Sequence, residues 1–433
     1  MHKIVIVGGG AGGLELATKL GNYLGKKELA EITLIDKSRT HIWKPLLHEV
    51  AAGTLDSAED ELEYLAQARW HHFRFRLGKM VDLNRDAREV LLAPTFNNEG
   101  EMIIPERRFS YDTLILAVGS VSNDFGIKGV DKHCLFLDNT EQAEQFQQKL
   151  LDSMLYAHTS GKPIEPGQLD VAIVGAGATG VELAAQLHHV TRQLSAYGLD
   201  TINPSIHIKF HIVEAGPRIL PALPERISDS ALEALNKLKV TVHVNERVIE
   251  VNENGIKTAS GKFITAKFKV WAAGIKAPEF LKNLADLETN RINQLVVNAN
   301  LQTTRDNSIF ALGDCAACTI DDTENLVPPR AQTAHQQASL MVKNLKRQLH
   351  GKPLLPYHYH DYGSLIALGH YSTVGSLMGN LTGSYFISGR VARIVYLFLY
   401  KMHQAALHGW PRAILISLLY FLRRGIDPQV KLH

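Results

Sequence analysis

Cysteine is scarce in this chain: of 433 residues, only Cys134, Cys315 and Cys318 are cysteines. Three thiols cannot build a disulfide scaffold, and so low a count fits a reducing compartment. Long apolar runs are missing too, since no stretch reaches the ~20 residues that a membrane-spanning helix needs. Charge of one sign is also lacking. With 46 basic and 44 acidic residues the formal net charge is +2, which gives no global reason to expect nucleic acid as a partner. A leader is not expected, because Met1 runs almost directly into the apolar strand Lys3-Ile4-Val5-Ile6-Val7. These absences favour a cytoplasmic setting. The hydrophobic share of 45% is that of an ordinary globular protein, and the length exceeds what one core organises. Two domains with an appendage are expected.

Glycine is well represented, and its placement carries the reading. Residues 3–36 have the pattern of a βαβ unit: a buried strand, the turn Gly8-Gly9-Gly10-Ala11-Gly12-Gly13, a helical stretch from Leu14 to Leu24, and the strand Ile32-Thr33-Leu34-Ile35-Asp36. Gly8, Gly10 and Gly13 match G-x-G-x-x-G, in which glycines allow the turn, close approach of a pyrophosphate, and packing of helix on strand. Asp36, with Lys37 after it, ends the second strand where an acid accepts a ribose hydroxyl. The pattern recurs. Val171-Ala172-Ile173-Val174 leads into Gly175-Ala176-Gly177-Ala178-Thr179-Gly180, and His207 to Glu214 reads as the second strand with its terminal acid. Glu214 favours NADH over NADPH, because a 2′-phosphate would meet a carboxylate; Arg218, four residues on, weakens that preference a little. Glu182 reads either as a solvated first-turn acid supporting the helix dipole or as a group beside the nicotinamide. Two fingerprints imply two dinucleotides in two related α/β, Rossmann-like domains, the second inserted within the first.

Two strand ends rich in small residues support the duplication: Leu116-Ala117-Val118-Gly119 and Val270-Trp271-Ala272-Ala273-Gly274 let backbone approach a nucleotide. Residues 72–110 alternate apolar and polar and suggest a small antiparallel sheet; 141–158 is helical by pattern, and 161–167 is a linker. The strand Ser308 to Leu312 ends in Gly313-Asp314, and Pro328-Pro329 opens a helix at Ala331-Gln332. A Gly-Asp strand end followed by an inward-pointing helix start can hold the middle and the ring of a long dinucleotide. Cys315 and Cys318 form C-x-x-C, read as small residues near a cofactor, since a structural zinc would want two more ligands; no metal is expected. The domains are expected at 1–165 with 285–350, and at 166–284, with an appendage at 351–433.

The appendage changes composition. From Tyr385 onward Arg390, Arg393, Lys401, Arg412, Arg423, Arg424 and Lys431 stand against the single acid Asp427, around the apolar runs 394–400 and 413–422. Each run is too short to span a bilayer. Basic residues around short apolar helices, with Trp410 and tyrosines as anchors, describe amphipathic helices lying in a membrane surface, or a buried dimerisation helix.

These residues resemble one family along nearly the whole chain. The turn 7–13, the segment Trp43-Lys44-Pro45-Leu46-Leu47-His48-Glu49-Val50, the turn 174–182, the stretch Trp271 to Pro278, Gly313-Asp314-Cys315-Ala316 and the A-Q-x-A-x-Q signature Ala331-Gln332-Thr333-Ala334-His335-Gln336 are similar to the type II NADH:quinone oxidoreductases in their gammaproteobacterial form. The resemblance implies non-covalent FAD in the first domain and NADH as substrate in the second. It further implies a membrane quinone (ubiquinone or menaquinone) reduced without proton pumping, peripheral attachment to the cytoplasmic face of the inner membrane, and commonly a homodimer. Lys44 and Pro45 would shape the flavin pocket, and Asp314 the ribityl or phosphate region. The helix start at Ala331 would stabilise negative charge at the ring edge. Gln332 and Gln336, one turn apart, would face the quinone as neutral donors. A disulfide reductase is excluded by the lack of Cys-x4-Cys near 43–50. A sulfide:quinone oxidoreductase would need spaced redox cysteines and no second fingerprint, and a non-catalytic NADH-binding sensor would show no quinone-dependent turnover.

Overall fold

The computed structural model describes the chain apart from residues 98, 321–322, 369–371, 380–382, 424–429 and 431–433. Arg424, Asp427 and Lys431, counted in the basic C-terminal composition, lie outside the described residues. The chain forms two compact units: Met1–Trp43, Glu61–Val121 and Ile275–His360 make the first, and Lys44–Asp60, Ser122–Gly274 and Asp361–His433 the second.

The first unit is built on a six-stranded sheet in the order Gln302–Thr303, Asp306–Ala311, Thr113–Leu116, His2–Val7, Ala30–Asp36, Arg74–Leu77. All neighbours are parallel except the short Gln302–Thr303 edge strand. Ile4, Ile6, Leu114, Ile115 and Ile309 are fully buried, because a parallel sheet covered by helices hides both faces. Ile4 pairs with Thr113 on one side and Ile32 on the other, so the two strands flanking the first glycine turn end level with it. The helix Ala11–Leu20 follows that turn, and the helix Ala331–Leu349 packs against it. Residues 80–110 form the expected antiparallel sheet, ordered Arg107–Ser110, Glu89–Leu92, Met80–Asn84. Arg74–Leu77, at the head of that stretch, instead joins the parallel sheet.

The second unit repeats the plan with four parallel strands in the order Thr241–His243, Phe210–Val213, Val171–Val174, Phe268–Trp271. The strand expected from His207 begins at Phe210. Asn203 caps a one-turn helix at Pro204–His207 through its side-chain oxygen, and the Lys209 N–H donates to the Asp170 carboxylate, which ends helical and loop structure just before the strand. Three antiparallel strands, Gly363–Leu368, Ser372–Gly379 and Gly383–Ser388, then lead to the helices Gly389–His408 and Trp410–Arg423. Among the described residues no helix is long and apolar enough to cross a membrane. On the last two helices Phe398, Met402, Trp410, Ile414, Leu415, Leu418, Leu419 and Leu422 are exposed, while His403, Leu407 and Ala413 are buried.

Candidate functional site

The two glycine turns have matching geometry down to single hydrogen bonds. Gly8 (φ +104°) and Gly175 (φ +103°) occupy the left-handed region, and a Cβ on either would collide with the facing strand end, at Ala117 and at Ala272–Ala273. The Gly8 N–H donates to the Ile35 carbonyl and the Gly175 N–H to the Val213 carbonyl, each 2.8 Å, tying the turn to the next strand. The third glycine admits no side chain: a Cβ on Gly13 would sit 1.9 Å from the Gly8 oxygen, and one on Gly180 would sit 2.1 Å from the Gly175 oxygen. The middle glycines differ in kind. Gly10 and Gly177 have nothing within 4 Å of the Cβ direction, so space is left in front of them.

The terminal acids close these turns. Asp36 accepts from the Gly9 N–H at 2.6 Å through one oxygen and from the Ser38 N–H at 2.8 Å through the other. Glu214 does the same with the Ala176 N–H (2.9 Å) and the Gly216 N–H (2.7 Å). Each carboxylate keeps acceptor capacity for a ribose hydroxyl. Burial raises the pKa of Asp36, although the Gly9 and Ser38 N–H groups act against it. Lys37 follows Asp36 in sequence, at the end of the strand. The Arg218 guanidinium is committed to the carbonyls of Leu220, Pro221 and Leu223. It is therefore directed to its own loop rather than presented as a phosphate clamp.

In the first unit the strand end Ala117–Gly119 (Gly119 φ +70°) lies beside the first turn, and Gly313 (φ +72°) begins a one-turn 3-10 helix that carries Asp314. Asp314 accepts from the Ser120 hydroxyl at 2.8 Å, its carbonyl from Gln294, and the Gly313 N–H donates to Gln337 at 2.7 Å. The helices starting at Ala11, Ala178 and Ala331 all lack a side-chain cap and a first-turn acid, which leaves three helix N-termini open to an anion. Gln332 and Gln336 are half-buried on the last of these helices. The Gln336 amide spans residue 360: Nε2 donates to the His360 carbonyl (2.7 Å) and Oε1 accepts its N–H (3.0 Å).

In the second unit Glu182 is buried, not solvated, at 7% exposure. Its Oε1 accepts from the Ala367 N–H at 2.9 Å, and Oε2 lies 3.9 Å from His48 Nδ1. Burial pushes its pKa up to about 8, with the Glu49 carboxylate adding to the rise and the Ala367 N–H opposing it. His48 is driven the other way, to about 4, by burial; its Nδ1–H donates to the Pro45 carbonyl. Lys44 Nζ is 4.0 Å from Asp138. Ala273 and Gly274 (φ +66°) follow Trp271, whose indole N–H donates to the carbonyls of Asn123 and Ala273.

A family model of the pyridine nucleotide-disulphide oxidoreductases matches residues 2–338. The chain is 44% identical to a type II NADH:quinone oxidoreductase of Haemophilus influenzae over the full length of both proteins. The chain belongs to this family. It is also 29% identical to a Staphylococcus aureus protein of the same name, over 87% of this chain and 90% of that one. In fold it is similar to NDH2 of Plasmodium falciparum in complex with NADH (TM-score 0.81, 21% identity, 99% of this chain and 100% of that one). The sulfide:quinone oxidoreductase of Aquifex aeolicus shares the fold (TM-score 0.72, 17% identity, 94% and 92% covered).

The first cradle fits FAD on its own chemistry: open space before Gly10, an uncapped helix start for a pyrophosphate, and a terminal carboxylate for a ribose. Several residues that shape this cradle escape a reading of motifs. Tyr64 is buried against Phe75, its hydroxyl donating to the Gly9 carbonyl at 2.8 Å, and burial raises its pKa well above 10. Gln337 accepts from the Gly313 N–H and Gln294 donates to the Asp314 carbonyl, so the two amides fix this pair. Tyr64 at the start of the helix Tyr64–Trp70 and Gln337 one residue past the A-Q-x-A-x-Q signature are the signals by which two of them could be found. Cys315 and Cys318 are free thiols, and burial pushes both up to about 11, so they remain protonated and unreactive at neutral pH.

Proposed function

We propose that this chain oxidises NADH and delivers two electrons to a membrane quinone without pumping protons, using one non-covalently held FAD. The duplicated cradle carries this reading: two glycine turns with the same bonds to a terminal carboxylate provide for two dinucleotides, and the full-length relative names both substrates. Residues 1–165 with 285–350 are assigned to FAD and 166–284 to NADH, as functional regions; segments 44–60 and 122–165 of the former pack within the second compact unit. FAD, when bound, supplies a ring that accepts hydride and passes electrons on.

The residues then act by orientation. Gly8, Gly10, Ala11, Gly12 and Gly13 cradle the pyrophosphate, Asp36 and Lys37 the adenosine ribose, and Ala117, Gly119, Gly313 and Asp314 the middle of the cofactor. Lys44 and Pro45 border the ring. Ala331 offers its helix N-terminus to negative charge at the ring edge. On the substrate side Gly175, Gly177, Ala178, Thr179 and Gly180 receive the NADH pyrophosphate, Glu214 its ribose, and Ala273, Gly274 and Glu182 the nicotinamide end. A Glu182 that keeps its proton near neutrality adds no full negative charge there. Gln332 and Gln336 hold the quinone oxygens as neutral hydrogen-bonding groups; the bond from Gln336 to residue 360 supports the wall of that site. Aligning donor and acceptor supplies most of what hydride transfer needs.

The region 351–433 attaches the protein to the cytoplasmic face of the inner membrane and serves a homodimer. The exposed apolar face of its last two helices, with Trp410 stacked on Phe398 at 6.0 Å, supports a position in the bilayer surface. Stopped-flow kinetics test the whole scheme. In Gln332→Leu, bleaching of the flavin by NADH stays within about twofold while quinone-driven recovery falls at least ~10-fold; equal losses in both halves refute the assignment. A chain cut near Tyr385 should lose liposome binding, and its retention would refute the attachment.

A further inference from the structure

The two fingerprints also share a buried acid that neither turn requires. Glu15 stands seven residues after Gly8, and Glu182 seven residues after Gly175, at the same place on the two fingerprint helices. Their surroundings send them in opposite directions. Glu182 is driven toward its neutral form. Glu15, only 2% exposed, has its pKa lowered: burial would raise it, but His335 and Lys19 together outweigh that. Lys19 Nζ is 2.5 Å from Glu15 Oε1 and 3.1 Å from Ser339 Oγ, and His335 Nδ1 is bonded to Glu15 Oε2. The His335 ring is stacked on Trp43, with centroids 5.5 Å apart and planes inclined by 27°. Its side chain is 25% exposed, against 3% for that of Glu15.

A buried ion pair of this kind is a poor way to gain stability, since a packed apolar pair would do as well. Its geometry suits another task. A carboxylate on Nδ1 fixes the imidazole tautomer and orientation, leaving Nε2 as the nitrogen that exchanges protons. His335 also sits three residues after Gln332 and one before Gln336, on their side of the helix. We propose that Glu15 and His335 form a carboxylate–imidazole dyad that delivers to the quinone the one proton the reaction takes from the medium. This rests on reading the Gln332–Gln336 face as the quinone side.

The balance is that NADH, one proton and a quinone give NAD⁺ and a quinol. Hydride carries two electrons and one proton, and the dyad supplies the other proton. The His335 Nε2–H bond breaks, a quinone O–H bond forms, and the electron pair of the broken bond stays on the imidazole, whose Nδ1–H remains on Glu15. Solvent reprotonates Nε2. Among the described residues, the charged and titratable groups facing His335 include Glu15 and, through it, Lys19 from the first fingerprint helix, and His41 from the strand Thr40–His41; Ser339 faces the pair from the same helix as His335. Burial takes His41 down to about 4, so it is neutral and does not compete for the carboxylate.

The experiment uses the holoenzyme and compares quinone with ferricyanide, which accepts electrons without protons. Glu15→Gln and His335→Gln should slow quinone-driven reoxidation at least ~10-fold and ~100-fold respectively, leave ferricyanide reduction and NADH-driven bleaching within about twofold, and change the pH profile of the quinone step. Glu15→Asp should restore part of it. Equal loss with both acceptors, or an unchanged pH profile of the quinone step, assigns the pair a clamping role and overturns the proposal. If Gln332→Leu impairs the quinone step and the dyad variants do not, the dyad alone fails. If Gln332→Leu has no effect, the reading of the face fails and the proposal with it.

Discussion

Replacing Glu182 by Gln should make the protein's stability less sensitive to pH between 4.5 and 8. In the folded chain the carboxyl holds its proton up to about 8, against an ordinary value of 4.5. Below 4.5 it is protonated in both states and contributes no pH dependence. Between the two values the unfolded chain releases the proton and the folded chain keeps it. Stability therefore falls as pH rises, by about 1.4 kcal/mol per unit, and levels off above 8. The total is at most about 5 kcal/mol. Gln keeps an oxygen for the Ala367 N–H and has no proton to lose, so that slope disappears. With an unfolding entropy of roughly 2 cal/mol/K per residue, this converts to about 5 °C at pH 8.5. Differential scanning calorimetry of the holoprotein from pH 5 to 9 should show the variant gaining on the parent as pH rises. Parallel curves would show that Glu182 ionises normally inside the fold and would refute the argument from burial.

Gly10→Ala and Gly13→Ala should separate cofactor space from fold space. The first adds a methyl with nothing within 4 Å and should fold with a normal Tm but retain little FAD on gel filtration; the second drives a methyl into the Gly8 oxygen and should not yield holoprotein. Tyr64→Phe removes the hydroxyl on the Gly9 carbonyl and should cost about 1–2 kcal/mol in chemical denaturation, with faster loss of FAD. Glu214→Ala should raise the KM for NADH about 10-fold or more yet confer little use of NADPH, because Arg218 stays bonded to three carbonyls; efficient NADPH turnover would contradict that geometry.

What could be read from the order of residues was what depends on near neighbours. The glycine turns, the strands ahead of them and their terminal acids lie within about forty residues, and steric rules specify them. The helix at 141–158 was legible for the same reason and is found at Thr140–Thr159. What escaped depends on residues distant in the chain. Glu182 is held by Ala367, 185 positions away, and this burial, invisible in the local sequence, decides its protonation. Glu15 and His335 are 320 residues apart, so no local pattern joins them. Gln336 was legible as a helix-face amide, but its bonds to residue 360 depend on how the returning chain passes the helix. The strand expected from His207 was shortened by a local competitor, the Asn203 cap, and by the distant Asp170 carboxylate, which together outrank alternation.

The duplicated turns also differ in a way that suits their two tasks. The second residue of each fingerprint uses both of its backbone groups: its N–H goes to the terminal acid, and its carbonyl accepts one further bond. In the second unit that bond comes from the Leu220 N–H at 2.8 Å, within a loop. In the first unit it comes from the Tyr64 hydroxyl, whose ring is stacked on Phe75 with centroids 4.9 Å apart. The first turn thus has an aromatic wall behind it, and only Gly10 within it is exposed. The second leaves Gly177, Ala178 and Thr179 exposed in succession. On the proposed assignment, the walled turn serves a dinucleotide that remains through many turnovers and the open one a dinucleotide that leaves after each hydride. The same fingerprint can therefore hold a cofactor or pass a substrate, depending on what packs behind its second residue.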